Sequence, residues 1–153
     1  MVEKVPVGSC WLFEGLAPAV LERIESITVR ERFPSGKNIF AEGDPANDLF
    51  ILGEGEVELS YVLQGRSPVT LRIAHIRPGD VFGWSALARN EKLTADAQTN
   101  ADSVVWRIPA GPVLEIMDAD PAVGYLVMTR LVQLVARRLR DTRSEMRWFQ
   151  SAM

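Results

Sequence analysis

The chain has 153 residues, enough for one domain with a buried core, and it is 47% hydrophobic with a net charge of −3. That balance excludes a global attraction to nucleic acid or anionic membrane, so either partner would need a local basic patch. A single cysteine, Cys10, excludes an internal disulfide and suits a reducing, cytoplasmic compartment, and beside Trp11 it reads as a passive apolar residue.

Residues 1–27 form an N-terminal segment without a secretory signal, because Glu3 and Glu14 interrupt any apolar run. No stretch approaches the roughly 18 consecutive apolar residues of a membrane span. Leu16, Val20, Leu21, Ile24 and Ile27 stand at helical spacing over 16–27, with Pro18 tolerated in the first turn. From residue 28 to 109 the period changes. Val57, Leu59, Tyr61 and Leu63 alternate with Glu56, Glu58, Ser60 and Val62, as in a half-buried strand. Val69, Leu71 and Ile73 repeat the pattern, with His75 on the same parity, and so do Val104, Trp106 and Ile108. Turn signals separate these runs at Pro34-Ser35-Gly36, Gly43-Asp44-Pro45, Gly53-Glu54-Gly55 and Pro78-Gly79-Asp80. Short strands punctuated in this way predict an antiparallel sandwich or roll. Gly36, Gly43, Gly55 and Gly79 fall at its corners, where positive φ favours glycine.

The last zone, 110–149, is helical. A short helix over 110–118 stops near Asp118, and Asp120-Pro121 reads as an N-cap followed by proline at the first helical position. A long helix then runs to about Phe149. No linker divides the chain, so 1–153 is expected to be a single domain. Within the long helix, Met128, Val132, Val135, Leu139, Thr142, Met146 and Phe149 alternate steps of four and three, a heptad seam that predicts a coiled-coil partner. The alternative is that the seam packs on the same subunit's roll, a task that Leu126, Leu131 and Leu134 are also placed to perform. Arg130, Arg137, Arg138, Arg140, Arg143 and Arg147, interspersed with Asp141 and Glu145, read as a solvated face.

An ordered set of motifs identifies the chain as resembling the cyclic-nucleotide-binding domain family, which includes catabolite activators and regulatory subunits of cyclic-AMP-dependent kinase. The set is Phe33-Pro34-x-Gly36, Ile39-Phe40-x-Glu42-Gly43-Asp44, Leu49-Phe50-Ile51-Leu52-x-x-Gly55-x-Val57 and Pro78-Gly79-Asp80-Val81-Phe82-Gly83. The resemblance runs from about Leu12 to about Arg143. It implies a mainly β fold with flanking helices: a jelly-roll-like antiparallel β-roll, or double-stranded β-helix, between an N-terminal helix and a long C-terminal one. It further implies that the segment from Phe82 through Gly83, Trp84, Ser85 and Ala86 to Lys92, Thr94 and Ala95 forms the ligand site. Family members hold a ribose acid where this chain has Trp84 and a phosphate-pairing arginine where it has Leu93. Trp84 either fills the pocket or offers a stacking platform to another ligand. Arg89 reads as a surface charge.

These departures predict a non-catalytic regulatory or ligand-sensing module with a degenerate pocket, acting in trans through protein contacts. The alternative is a genuine receptor for cyclic AMP or cyclic GMP that uses Lys92 and backbone amides. No cofactor or metal is expected, since one histidine, His75, provides neither a metal cluster nor a catalytic triad. Homodimerisation is expected through the last helix, which is also what the resemblance implies. Catabolite activators carry a helix-turn-helix after this helix; with Met153 so close behind it, no DNA-binding domain is expected.

Overall fold

The computed structural model describes residues 7–89 and 91–152, apart from the side chains of Phe149 and Ala152. Its elements follow the period changes of the sequence. After a run of turns over residues 7–15 come helix α1 (Pro18–Ser26) and strands β1 (Val29–Phe33), β2 (Asn38–Phe40), β3 (Asp48–Glu54), β4 (Val57–Leu63), β5 (Val69–Ile76) and β6 (Val81–Phe82). A single 3₁₀ turn, Trp84–Ala86, precedes β7 (Asp96–Thr99), β8 (Ser103–Pro109), α2 (Ala110–Ala119) and α3 (Pro121–Ala152). The strands pair antiparallel into two sheets, ordered β1-β8-β3-β6 and β2-β7-β4-β5, as a jelly-roll-like β-roll requires.

Strand β3 carries apolar residues at four consecutive positions, and a strand buried on both faces reads that way. Leu49 and Ile51 face the helices, where with Trp106 and Ile108 of β8 they meet Phe13, Ile24 and Val113. Phe50 and Leu52 face the second sheet and, with Val105, meet Val57, Leu59, Ile76 and Ala97. The protein is therefore three layers deep: helices, first sheet, second sheet. Each large side chain fully buried in such a layer contributes about 1.5–3 kcal/mol. Phe82 stacks on Phe50 at 5.3 Å between ring centres and lies 6.1 Å from Phe40, which fixes β6 and the segment that follows it.

The alternation expected for β4 and β5 is interrupted. Leu59 pairs with Ala74 and Ser60 with Arg72, so Ile73 is an extra residue in the ladder. A bulge of this kind reverses side-chain parity beyond it. Ala74 and Ile76 are buried as a result and His75 is exposed on the outer face; Tyr61, paired with Leu71 before the bulge, is also exposed. His75 is not on the buried parity of Leu71.

Asp120 caps α3 as expected, its carboxylate accepting from the backbone N–H groups of Ala122 and Val123. Arg130 ties α3 to the N-terminal turns by donating to the carbonyls of Leu12 and Glu14. Cys10 is buried there, and burial pushes its thiol up to about 11. The reactive species is the thiolate, so Cys10 should resist a disulfide reagent under native conditions and react once the protein is unfolded. Rapid native labelling in a stopped-flow thiol assay contradicts this.

Candidate functional site

A cavity of about 280 Å³ lies between the second sheet and α3, which packs on α2 and then passes over β5. Phe40, Leu59 and Ile73 form its floor, and Ile73 reaches it from the bulge in β5. Gly83, Trp84 and Ser85 make one side; Leu93, Thr94 and Ala95 make another. Helix α3 closes the top with Val135, Arg138, Leu139 and Thr142.

The 3₁₀ turn is placed by Gly83. Its φ of 72° lies in the left-handed region, and a Cβ there would sit 2.7 Å from the Phe50 ring. Glycine therefore satisfies two demands at once, a backbone conformation and a close approach. Beyond it Trp84 is half-buried, lining the cavity while packing against both core clusters. Ser85 is buried and lines the cavity.

Opposite, a short ladder decides which way the residues before β7 point. The N–H of Leu93 donates to Asp44 O at 2.8 Å, and the N–H of Gly43 donates back to Leu93 O at 2.8 Å. Ala46 donates to Glu91 O at 3.0 Å, and Lys92 bridges Pro45. In this register Leu93 is buried in the cavity wall and Lys92 is exposed outside it. Of the residues expected at the site, Gly83, Trp84, Ser85, Thr94 and Ala95 are brought together. Phe82 and Ala86 sit in the two cores instead, where they support the turn. Lys92 does not reach the cavity, because neighbouring residues on an extended segment point to opposite sides. Arg89 pairs with Asp118 at the surface at 2.8 Å.

The expected solvated arginine face needs correction at two positions. Arg137, Arg140, Arg143 and Arg147 are exposed, but Arg130 is half-buried and Arg138 is only 8% exposed. Arg138 lines the cavity from α3. Its Nε has no hydrogen-bond partner, and its Nη1 lies 3.8 Å from the Asp141 carboxylate. Burial holds its pKa below the usual guanidinium range; the carboxylates of Asp80 and Asp141 pull the other way. The signal was in the sequence: Val127, Leu131, Leu134 and Arg138 recur in steps of four, three and four, the spacing of an inward face.

The heptad residues stand on a neighbouring stripe. Val132, Val135, Leu139 and Met146 are exposed, whereas Met128 and Thr142 are half-buried. The side chain of Phe149 lies outside the described residues. Leu131 and Leu134 are buried and Leu126 is packed against the helical core, so the packing on the protein's own roll is made mainly off the seam. Among the described residues no helix is long and apolar enough to cross a membrane, and no group of three His, Cys, Asp or Glu is placed to hold a metal ion.

Residues 30–120 match the family model of the cyclic nucleotide-binding domain. The chain is 30% identical over 135 residues to the cyclic AMP receptor protein of Thermus thermophilus, covering 88% of this chain and 60% of the receptor. It is 29% identical over 128 residues to glutaminase 1 of Bradyrhizobium diazoefficiens, of which it covers 20%. The chain thus spans less than two thirds of these relatives. Among solved structures, a candidate cyclic nucleotide-binding protein from Geobacter metallireducens superposes with a TM-score of 0.74 at 29% identity, covering 91% of this chain and 99% of that one.

Proposed function

The chain belongs to the cyclic nucleotide-binding domain family, and from that premise we propose that it is a non-catalytic, ligand-sensing module whose pocket no longer suits a cyclic nucleotide. The observation that carries this is Leu93. It lies in the cavity wall at the position where the family resemblance expects the phosphate-pairing arginine, and its ladder with Asp44 fixes it there. Trp84 occupies the place expected for the ribose acid and lines the same cavity. Removing a paired charge from a desolvated site costs about 2–5 kcal/mol, or roughly thirty- to several-thousand-fold in affinity. Losing the acid adds to that. Lys92 gives the competing receptor reading no support, being outside the cavity.

The module is proposed to act in the cytoplasm, in trans through protein contacts, as a homodimer assembled on the exposed seam of α3. Calorimetric titration with cyclic AMP and cyclic GMP tests the pocket. Neither nucleotide is expected to bind in the low micromolar range, and a dissociation constant there would overturn the proposal.

A further inference from the structure

Arg138 is a buried cation whose Nε has no hydrogen-bond partner. The distance of 3.8 Å to Asp141 exceeds hydrogen-bonding range, and the Asp141 side chain is half exposed. Arg138 has a buried Nε that has given up water without regaining a hydrogen bond. The fork it presents matches a carboxylate, which can accept two parallel N–H bonds. Around it the cavity is apolar, with Phe40, Leu59, Ile73, Trp84 and Leu93 lining it and Ser85 as a buried hydroxyl. The charged groups acting on Arg138 are Asp80, Asp141 and Arg137. Asp141 at 3.8 Å already offsets part of the guanidinium charge, so a doubly charged head would meet repulsion. A volume of about 280 Å³ is at the small end of ligand pockets.

We infer that this cavity takes a small amphipathic monocarboxylate, with an aryl or medium-chain acyl body against Trp84 and Ile73 and its head on Arg138. The inference rests on the proposed reading of the cavity as a ligand pocket unsuited to cyclic nucleotides, and it moves the anion contact from the roll to the long helix. A neutral ligand would bring no charge to complement the one long contact that Arg138 makes with Asp141. A sugar would bring hydroxyls to walls that offer mainly carbon.

The test is calorimetry on the full chain with octanoate and phenylbutyrate, each compared with its neutral amide. At least one acid is expected to bind saturably, and its amide about ten- to a hundredfold more weakly, as expected for a lost hydrogen bond to a charged group. In Arg138→Leu the acid should lose that advantage, and Arg138→Lys should restore part of it. Circular dichroism melting shows whether the variants are folded; if Arg138→Leu is not, the acid–amide comparison in the unaltered protein and Arg138→Lys decide. Absence of saturable binding by both acids overturns the inference, as do equal affinities for acid and amide, or an acid preference that survives in folded Arg138→Leu. Cyclic AMP titrated into the same sample separates the two proposals. If neither acid nor nucleotide binds, the carboxylate inference alone fails; low-micromolar nucleotide binding removes the reading on which it rests.

Discussion

Gly55→Val is expected to lower the stability of the domain by about 4 kcal/mol or more, a large share of the roughly 5–15 kcal/mol of an ordinary protein. Gly55 lies in the turn from β3 to β4 with φ of +96°, a conformation that costs an L-residue about 1–2 kcal/mol and a β-branched one more. The space is closed as well. A Cβ there would meet the Ser103 hydroxyl, come within 2.5 Å of Asp102 O and lie 2.8 Å from Ser103 Cα. Two of these atoms are backbone, so no rotamer change relieves the contact. The neighbouring bonds make movement costly: Glu56 donates to Ser103 Oγ at 3.3 Å, and Asn100 N–H donates to Glu56 O at 2.9 Å. Forcing the turns apart therefore breaks the seam between the β3–β4 and β7–β8 corners. At about 2–4 °C per kcal/mol for a chain of this size, the melting temperature should fall by roughly 10–15 °C if the variant folds at all. Gly65→Ala is the control. Nothing lies within 4 Å of its would-be Cβ, and its φ is not among the positive ones. Thermal melts of both variants decide: a Gly55→Val melt within a degree or two of the unaltered protein would sink the argument.

The corner glycines were legible because the demand on them is local. Gly36, Gly43, Gly55 and Gly79 all have positive φ, and each turn announces itself in a few residues of sequence. The strands were legible for a similar reason, since Val57 and Leu59 of β4 and Val104, Trp106 and Ile108 of β8 alternate with their neighbours or follow turn residues. Parity in β5 was not. Whether a ladder gains an extra residue at Ile73 depends on how β4 and β5 twist together, and the alternation of Val69, Leu71 and Ile73 does not record it. Arg138 was hidden differently. Charge alone places it with its exposed neighbours Arg137 and Arg140, while its burial follows from the helical phase set by Val127, Leu131 and Leu134. Lys92 is the counterpart: its exclusion follows from strand geometry once Leu93 is placed inward, and the ladder with Asp44 does that. Sequence therefore located most of the cavity rim and left out Arg138, the cation that α3 brings to it.

A double substitution, Val132→Glu with Met146→Glu, is expected to dissociate the proposed homodimer by about a thousandfold or more. Helix α3 has 32 residues, about 48 Å at 1.5 Å per residue, and its inward face already packs on its own roll. The adjacent stripe does not. Val132 is 66% exposed, Leu139 56% and Met146 44%, at steps of seven, the spacing that one seam of a coiled coil requires. A second copy of the same helix presents the same spacing, and a twofold axis sets each seam residue beside its counterpart. Glutamates at Val132 and Met146 would then bury two pairs of facing carboxylates, and juxtaposed like charges cost several kcal/mol in an interface. The monomer should tolerate the change within about 0.5 kcal/mol per site, because each side chain is already in water there. Val135 and Leu139 are left alone because they also line the cavity, so ligand binding by the double variant still reports on the pocket. Light scattering at micromolar concentration, with thermal melts alongside, gives the outcome. The unaltered chain should scatter as a dimer and the double variant as a folded monomer; an unaltered chain that stays monomeric at high micromolar concentration removes the dimer, and a variant that stays dimeric removes the seam.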